Sequence, residues 1–248
     1  MNRGKTVLAL AVVAMAAIAF TATSANAAVV PLAGQLGILD VTGTNPATGV
    51  AWALGDQYRL VFITSGNTTG ASTDITAYNA FVQAAADAST LGLSGATWKV
   101  VGSTADVAAR DNTSTNPNED GAGVPIFLMD GITLVAIDNT DLWNGIGAAI
   151  GLDENAAARF SDRVLTGSNG NGTPNDRVLG GSTEVPPKVM TGRTDRTGNG
   201  WMVDFNEPAT AARPVFAMSD PLTVVPEPAT MGLLAIGGLA LLRRRRRA

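Results

Sequence analysis

In this chain of 248 residues the side chains best placed to do chemistry are carboxylates, because histidine and cysteine are both absent. That absence excludes disulfides, thiol nucleophiles, zinc or haem sites built on Cys or His, and every imidazole-based triad. A Ser-Lys dyad would have to use Lys99 or Lys188, and neither lies in a nucleophile motif. The 21 acidic residues contain no spacing that singles out two for glycoside hydrolysis. Asp153-Glu154 is an adjacent pair in an ordered stretch, and it reads first as a solvated turn or a helix cap. With only oxygen ligands on offer, calcium is the metal the chain would suit. Asn116, Asn118, Glu119 and Asp120 form one oxygen-rich group, and Asp138, Asn139 and Asp141 form another. Neither has EF-hand spacing, so each reads first as a solvated loop, and no cofactor is expected. Trp98, Trp143 and Trp201 would suit sugar stacking, but their strand-like or apolar settings favour core packing. Gly167-Ser168-Asn169-Gly170-Asn171-Gly172 lacks the residue order of a phosphate loop and reads as a plain loop.

Charge is distributed unevenly. Of 17 basic residues, seven sit at the chain ends, and residues 28–242 hold 10 basic against 21 acidic side chains. An acidic body is repelled by phosphate backbones, so no nucleic-acid partner is expected. The ends carry targeting chemistry. Arg3 and Lys5 precede an apolar run from Val7 to Phe20, and the small residues Ala25 and Ala27 fit a signal peptidase, with cleavage after Ala27. At the other end Val225, Pro226, Glu227 and Pro228 precede an apolar stretch at 229–242, followed by Arg243, Arg244, Arg245, Arg246 and Arg247. The prolines lock an extended, accessible segment. As a helix the apolar stretch would reach about 21 Å, short of a hydrocarbon core of about 30 Å. The arginines act as a stop-transfer charge that holds the C-terminus in the cytoplasm.

This order of parts resembles the PEP-CTERM sorting signal. The resemblance implies a Gram-negative bacterium, an exosortase that processes the tail at or near Pro-Glu-Pro, and an association with exopolysaccharide or biofilm matrix. It implies an exported protein, held briefly in the inner membrane through the C-terminal transmembrane helix and then placed at the cell surface or outside.

The elements that must carry any site lie between these ends. The expected organisation is a signal peptide at 1–27, an N-terminal extension at 28–55, an exported globular domain at 56–222 and the sorting signal at 223–248. Residues 36–41 suggest a short strand. Tyr58 to Ile63 is a mostly apolar run bounded by turn residues, as in a buried strand. Asp74 can cap a helix with Ile75, Tyr78, Val82 and Ala85 or Ala86 on one face and Gly92 as its stop. Further strands are expected at 98–101, 163–167, 200–203 and 215–218, with a short helix from Ser103 through Arg110. Asp130-Gly131 should turn a two-residue hairpin between 126–129 and 132–135. Residues 111–123, 168–176 and 180–199 read as polar loops.

Short strands, one main helix and long loops predict an α+β fold with a small antiparallel sheet. The order of Tyr58 to Ser65, Ala80 to Asp87, Trp98-Lys99, Ala108-Ala109-Arg110, Met129-Asp130-Gly131, Asp141-Leu142-Trp143, Asp153-Glu154 and Thr166-Gly167-Ser168 resembles C-type-lectin-like domains of bacterial surface proteins. The chain departs from that pattern in lacking cysteines and a downstream Trp-Asn-Asp signature, so the resemblance implies fold more than sugar binding. The expected function is a non-catalytic structural, adhesive or exopolysaccharide-interaction role after sorting by exosortase. The alternative from another class is a secreted carbohydrate-active hydrolase using two carboxylates.

Overall fold

Strand β1 (Gln57–Ile63) organises the fold, and every residue after Gln57 in it is buried. A continuous apolar run is what a strand needs when both its faces are covered. Here Tyr58, Leu60 and Phe62 enter one core with Tyr78, Val82 and Trp98. Val61 and Ile63 enter a second with Leu142, Trp143, Trp201 and Phe216. The computed structural model describes residues 38–224, all within one compact unit. Among them no helix is long and apolar enough to cross a membrane. The expected signal peptide at 1–27 and the apolar stretch at 229–242 lie outside the described residues.

The remaining strands are β2 (Thr68–Thr69), β3 (Trp98–Val100), β4 (Ile126–Leu128), β5 (Leu134–Ala136), β6 (Arg163–Leu165), β7 (Lys188–Arg193), β8 (Phe205–Pro208), β9 (Ala212–Arg213), β10 (Phe216–Ser219) and β11 (Leu222–Thr223). The main sheet runs β3-β10-β1-β4-β5, with β11 also on β1. Both β10 and β11 pair antiparallel with β1, whereas β4 runs parallel to it. The sheet is therefore mixed, not purely antiparallel as expected. The parallel pair is possible because the long segment between β1 and β4, including the main helix, serves as the crossover. Two smaller sheets, β2-β9 and β6-β7-β8, complete the α+β architecture.

Helix α1 (Ile75–Asp87) begins where the sequence predicts, with the Asp74 carboxylate accepting the Thr76 backbone N–H at 2.9 Å. It buries Tyr78, Val82 and Ala86, spaced four apart, against the sheet. It ends at Asp87, before Gly92, whose positive φ instead opens a 3₁₀ turn at Leu93–Gly95. The helix also closes a sheet edge. Strand β3 is outermost, and its outward Trp98 and Val100 N–H groups donate to Gln83 Oε1 and Asn79 Oδ1, both at 2.9 Å. Side-chain amides thus stand where another strand would bind, which protects the edge from intermolecular pairing.

Several local expectations change. The expected helix from Ser103 is confined to α2 (Ala109–Asn112), because Ser103 Oγ accepts from the Ala109 N–H across a bend. The Asp130-Gly131 hairpin forms, but its loop is longer than two residues. Asp130 Oδ1 accepts both the Ile132 and Thr133 N–H groups, and of the central pair only Gly131 takes a positive φ. Gly131 is also required by proximity, since a Cβ there would lie 1.9 Å from the Ile38 carbonyl oxygen. The described part of the expected 36–41 strand is turn and bend. Residues 199–201 form a 3₁₀ turn in place of a strand, and the expected loop at 180–199 contains β7. These last two differences share a cause. Gly192 in β7 packs on the Trp201 turn so tightly that a Cβ would sit 1.6 Å from the Trp201 oxygen.

Candidate functional site

The central ladder runs to the start of the C-terminal signal. Past β11, the Val224 N–H donates to the Asp56 carbonyl at 2.8 Å, and the Gly55 N–H donates to the Val224 carbonyl at 3.3 Å. Pro226, two residues on, has no N–H with which to extend such a ladder. Ala25, Ala27, Val225, Pro226, Glu227, Pro228 and Arg243 to Arg247 all lie outside the described residues.

The carboxylates singled out in the sequence hold backbone in place. Asn116 is buried, accepts the Asn118 N–H, and donates from Nδ2 to Asp111 Oδ1 at 2.7 Å. Asp120 turns back to accept the Asn116 N–H at 2.8 Å. Asp138 caps α3 (Asn139–Asn144) by accepting the Asp141 N–H, while Asp141 accepts the Ile137 N–H. Asn139 is buried and donates to the Gly121 carbonyl, which ties the first oxygen-rich group to the helix bearing the second. Asp153 and Glu154 are not solvated: both are buried. Asp153 Oδ1 accepts the Asn155 and Ala157 N–H groups, and Glu154 accepts the Ser65 N–H and hydroxyl. Among the described residues no group of three or more Asp or Glu is arranged to hold a metal ion.

The tryptophans are core residues. Trp98 packs on Phe62 with ring centroids 4.8 Å apart, and Trp143 packs on Trp201 at 5.8 Å. The glycine-rich loop at 167–172 is folded onto the same core, with Ser168 bonded to Ser103 and Gly172 lying on the Trp143 ring.

A surface that no sequence motif marks lies on the β6-β7-β8 sheet. Cross-strand pairing sets Arg163 of β6 opposite Arg193 of β7 and Val189 of β7 opposite Glu207 of β8. With period-two alternation, Arg163, Arg193, Phe205 and Glu207 share one face. The Arg163 guanidinium lies over the Phe205 ring, 4.1 Å from its centroid. Glu207 Oε1 accepts from Arg163 at 2.7 Å and from Arg213 at 3.1 Å. Burial works to raise the Glu207 carboxyl, but the two arginines outweigh it and hold it below the ordinary glutamate value. Two similar groups lie nearby in the chain: Arg193 and Arg196 on Asp195, and Arg177 and Lys188 on Glu184. In each, two cations face one carboxylate. The two exposed aromatic rings among the described residues, Phe160 and Phe205, fall in this same segment. The sequence signal for this surface is the crowding of seven basic residues into 159–213, against three in the rest of 38–224.

Residues 224–247 match the PEP-CTERM protein-sorting motif, beginning at Val224, the last described residue, which is itself bonded into the central ladder. No curated protein matches the chain. The chain carries a PEP-CTERM sorting signal and is an exported protein sorted by an exosortase.

Proposed function

We propose that the exported body is a non-catalytic, C-type-lectin-like module that acts at the cell surface or in the extracellular matrix through contact with exopolysaccharide. The observation that carries this reading is the sorting motif that follows directly on a body organised around a central mixed sheet. The carboxylates most suggestive of catalysis support the same reading, because they accept backbone N–H groups at turns and caps. In this account signal peptidase cuts after Ala27, and residues 229–242 enter the inner membrane with Arg243 to Arg247 on the cytoplasmic side. Val225 to Pro228 is then presented to the exosortase, and the released body enters the matrix.

The test is a polysaccharide pull-down with the exported protein, run beside a reducing-end assay on the same polymers. Retention without new reducing ends supports the proposal. New reducing ends that vanish when Asp153 or Glu154 is substituted by its amide would replace it with a hydrolase.

A further inference from the structure

We propose that the β6-β7-β8 sheet is a binding surface for an acidic polysaccharide, a polymer of sugars bearing carboxylates. This deepens the matrix-contact reading and rests on it. Charge concentration is the first argument. Residues 159–213 hold seven basic and six acidic side chains, whereas the rest of 38–224 holds three and fourteen. The segment is the part of an acidic body where cations are in excess, and six of its seven cations group two to one carboxylate, with Arg159 paired one to one with Asp162. Such a group keeps a net positive charge for an anion.

Donor geometry is the second argument. Arg163 and Arg213 each give one hydrogen bond to the same Glu207 oxygen, and their side chains are 38% and 41% exposed. A guanidinium has five N–H donors in a planar fork, so each retains donors matched to a carboxylate. Glu207 fixes the pair in place, which lowers the entropy cost of binding. The third argument is the aromatic content. Phe205 is 52% exposed and Phe160 is 70% exposed, while Trp98, Trp143 and Trp201 are all buried. An apolar ring beside cationic forks matches a sugar ring that carries an acid group. The acidic remainder of the body does not cancel this attraction, because salt screens exposed charges beyond about 8 Å at physiological strength. An oligonucleotide presents phosphates and bases in place of acid-bearing sugar rings, so it is the control that separates this recognition from plain charge attraction.

The experiment measures binding of the exported protein to polygalacturonate, with neutral dextran and a single-stranded oligonucleotide in parallel. Polygalacturonate should bind, weakening as salt is raised, and the other two should not. F205S, which removes the ring that stacks on the sugar, and R213Q, which removes a charge-assisted contact, should each weaken binding roughly tenfold or more. K99Q, on the β3 edge, should leave binding unchanged. Thermal melting confirms that each variant is folded, and F205S, which alters an exposed ring, is the deciding variant should R213Q fail to fold. The proposal is overturned by no binding to polygalacturonate, by equal binding of dextran or the oligonucleotide, or by unchanged affinity in folded F205S. Retention of the parent and F205S alike in extracellular matrix would leave the matrix role standing and remove this surface from it. Loss of the parent itself from the matrix would overturn the broader reading.

Discussion

The main sheet and the β6-β7-β8 sheet solve opposite problems. In the main sheet, β1 has both faces in apolar cores, the edge strand β3 is sealed by amides from α1, and the buried cation Arg59 is consumed internally. Arg59 donates to the carbonyls of Thr113, Ser114 and Ser219 at 2.7–3.0 Å, which staples β1 and β10 to the loop after α2. Burial lowers its pKa from the usual arginine value, with Asp220 and Asp120 opposing. In the smaller sheet the cations are partly exposed, outnumber their carboxylates, and sit beside open aromatic rings. One region uses polar chemistry to close itself and carry the sorting signal. The other leaves polar chemistry unspent at its surface.

The comparison breaks most visibly if the main sheet tolerates loss of its staple. Arg59→Met would leave three carbonyls short of a donor and should cost about 3–5 kcal/mol by urea unfolding. Trp201→Ala, which empties the second core beneath Trp143 and Phe216, should cost about 3–5 kcal/mol in the same assay. A smaller effect comes from acid. Glu207 is held below its ordinary 4.5, so the stability it contributes is present above that value and is lost as pH falls through the folded pKa. As pH falls below 4.5 the parent should therefore lose more stability than Glu207→Gln, by a modest margin because solvent screens the pair. F205S, which removes a half-buried ring and its contact with Arg163, should cost about 1 kcal/mol. Millimolar calcium should leave the melting temperature unmoved, since Asn116, Asp120, Asp138 and Asp141 already serve backbone groups.

Legibility in the sequence follows the same divide. The β1 run, the Asp74 cap and the α1 face are readable because one local period carries each of them. The parallel pairing of β4 with β1 is not, because it depends on contacts between residues far apart in the chain. Strand β7 is hidden for a related reason. Its Thr191-Gly192 looks like loop, and only the approach of Trp201 explains why glycine is needed there. Asp153-Glu154 looks solvated in the sequence because burial of a carboxylate requires partners, and its partner Ser65 lies 89 residues away. The basic aromatic surface combines Arg163, Phe205, Glu207 and Arg213 from three strands, with no motif spacing to announce it. The sorting signal is contiguous, and so it is legible directly from Val225 to Arg247.

The division between a sheet that carries the sorting signal and a sheet that makes contact can be tested in one fractionation. Cells producing the parent, F205S combined with R213Q, or a chain with Pro226, Glu227 and Pro228 replaced by alanine are separated into membrane, matrix and free medium, and the body is followed by immunoblot. The account predicts the parent in the matrix, the surface variant processed but free in the medium, and the motif variant uncut in the membrane. A surface variant that stays in the matrix with the parent, or a motif variant that matures normally, would contradict it.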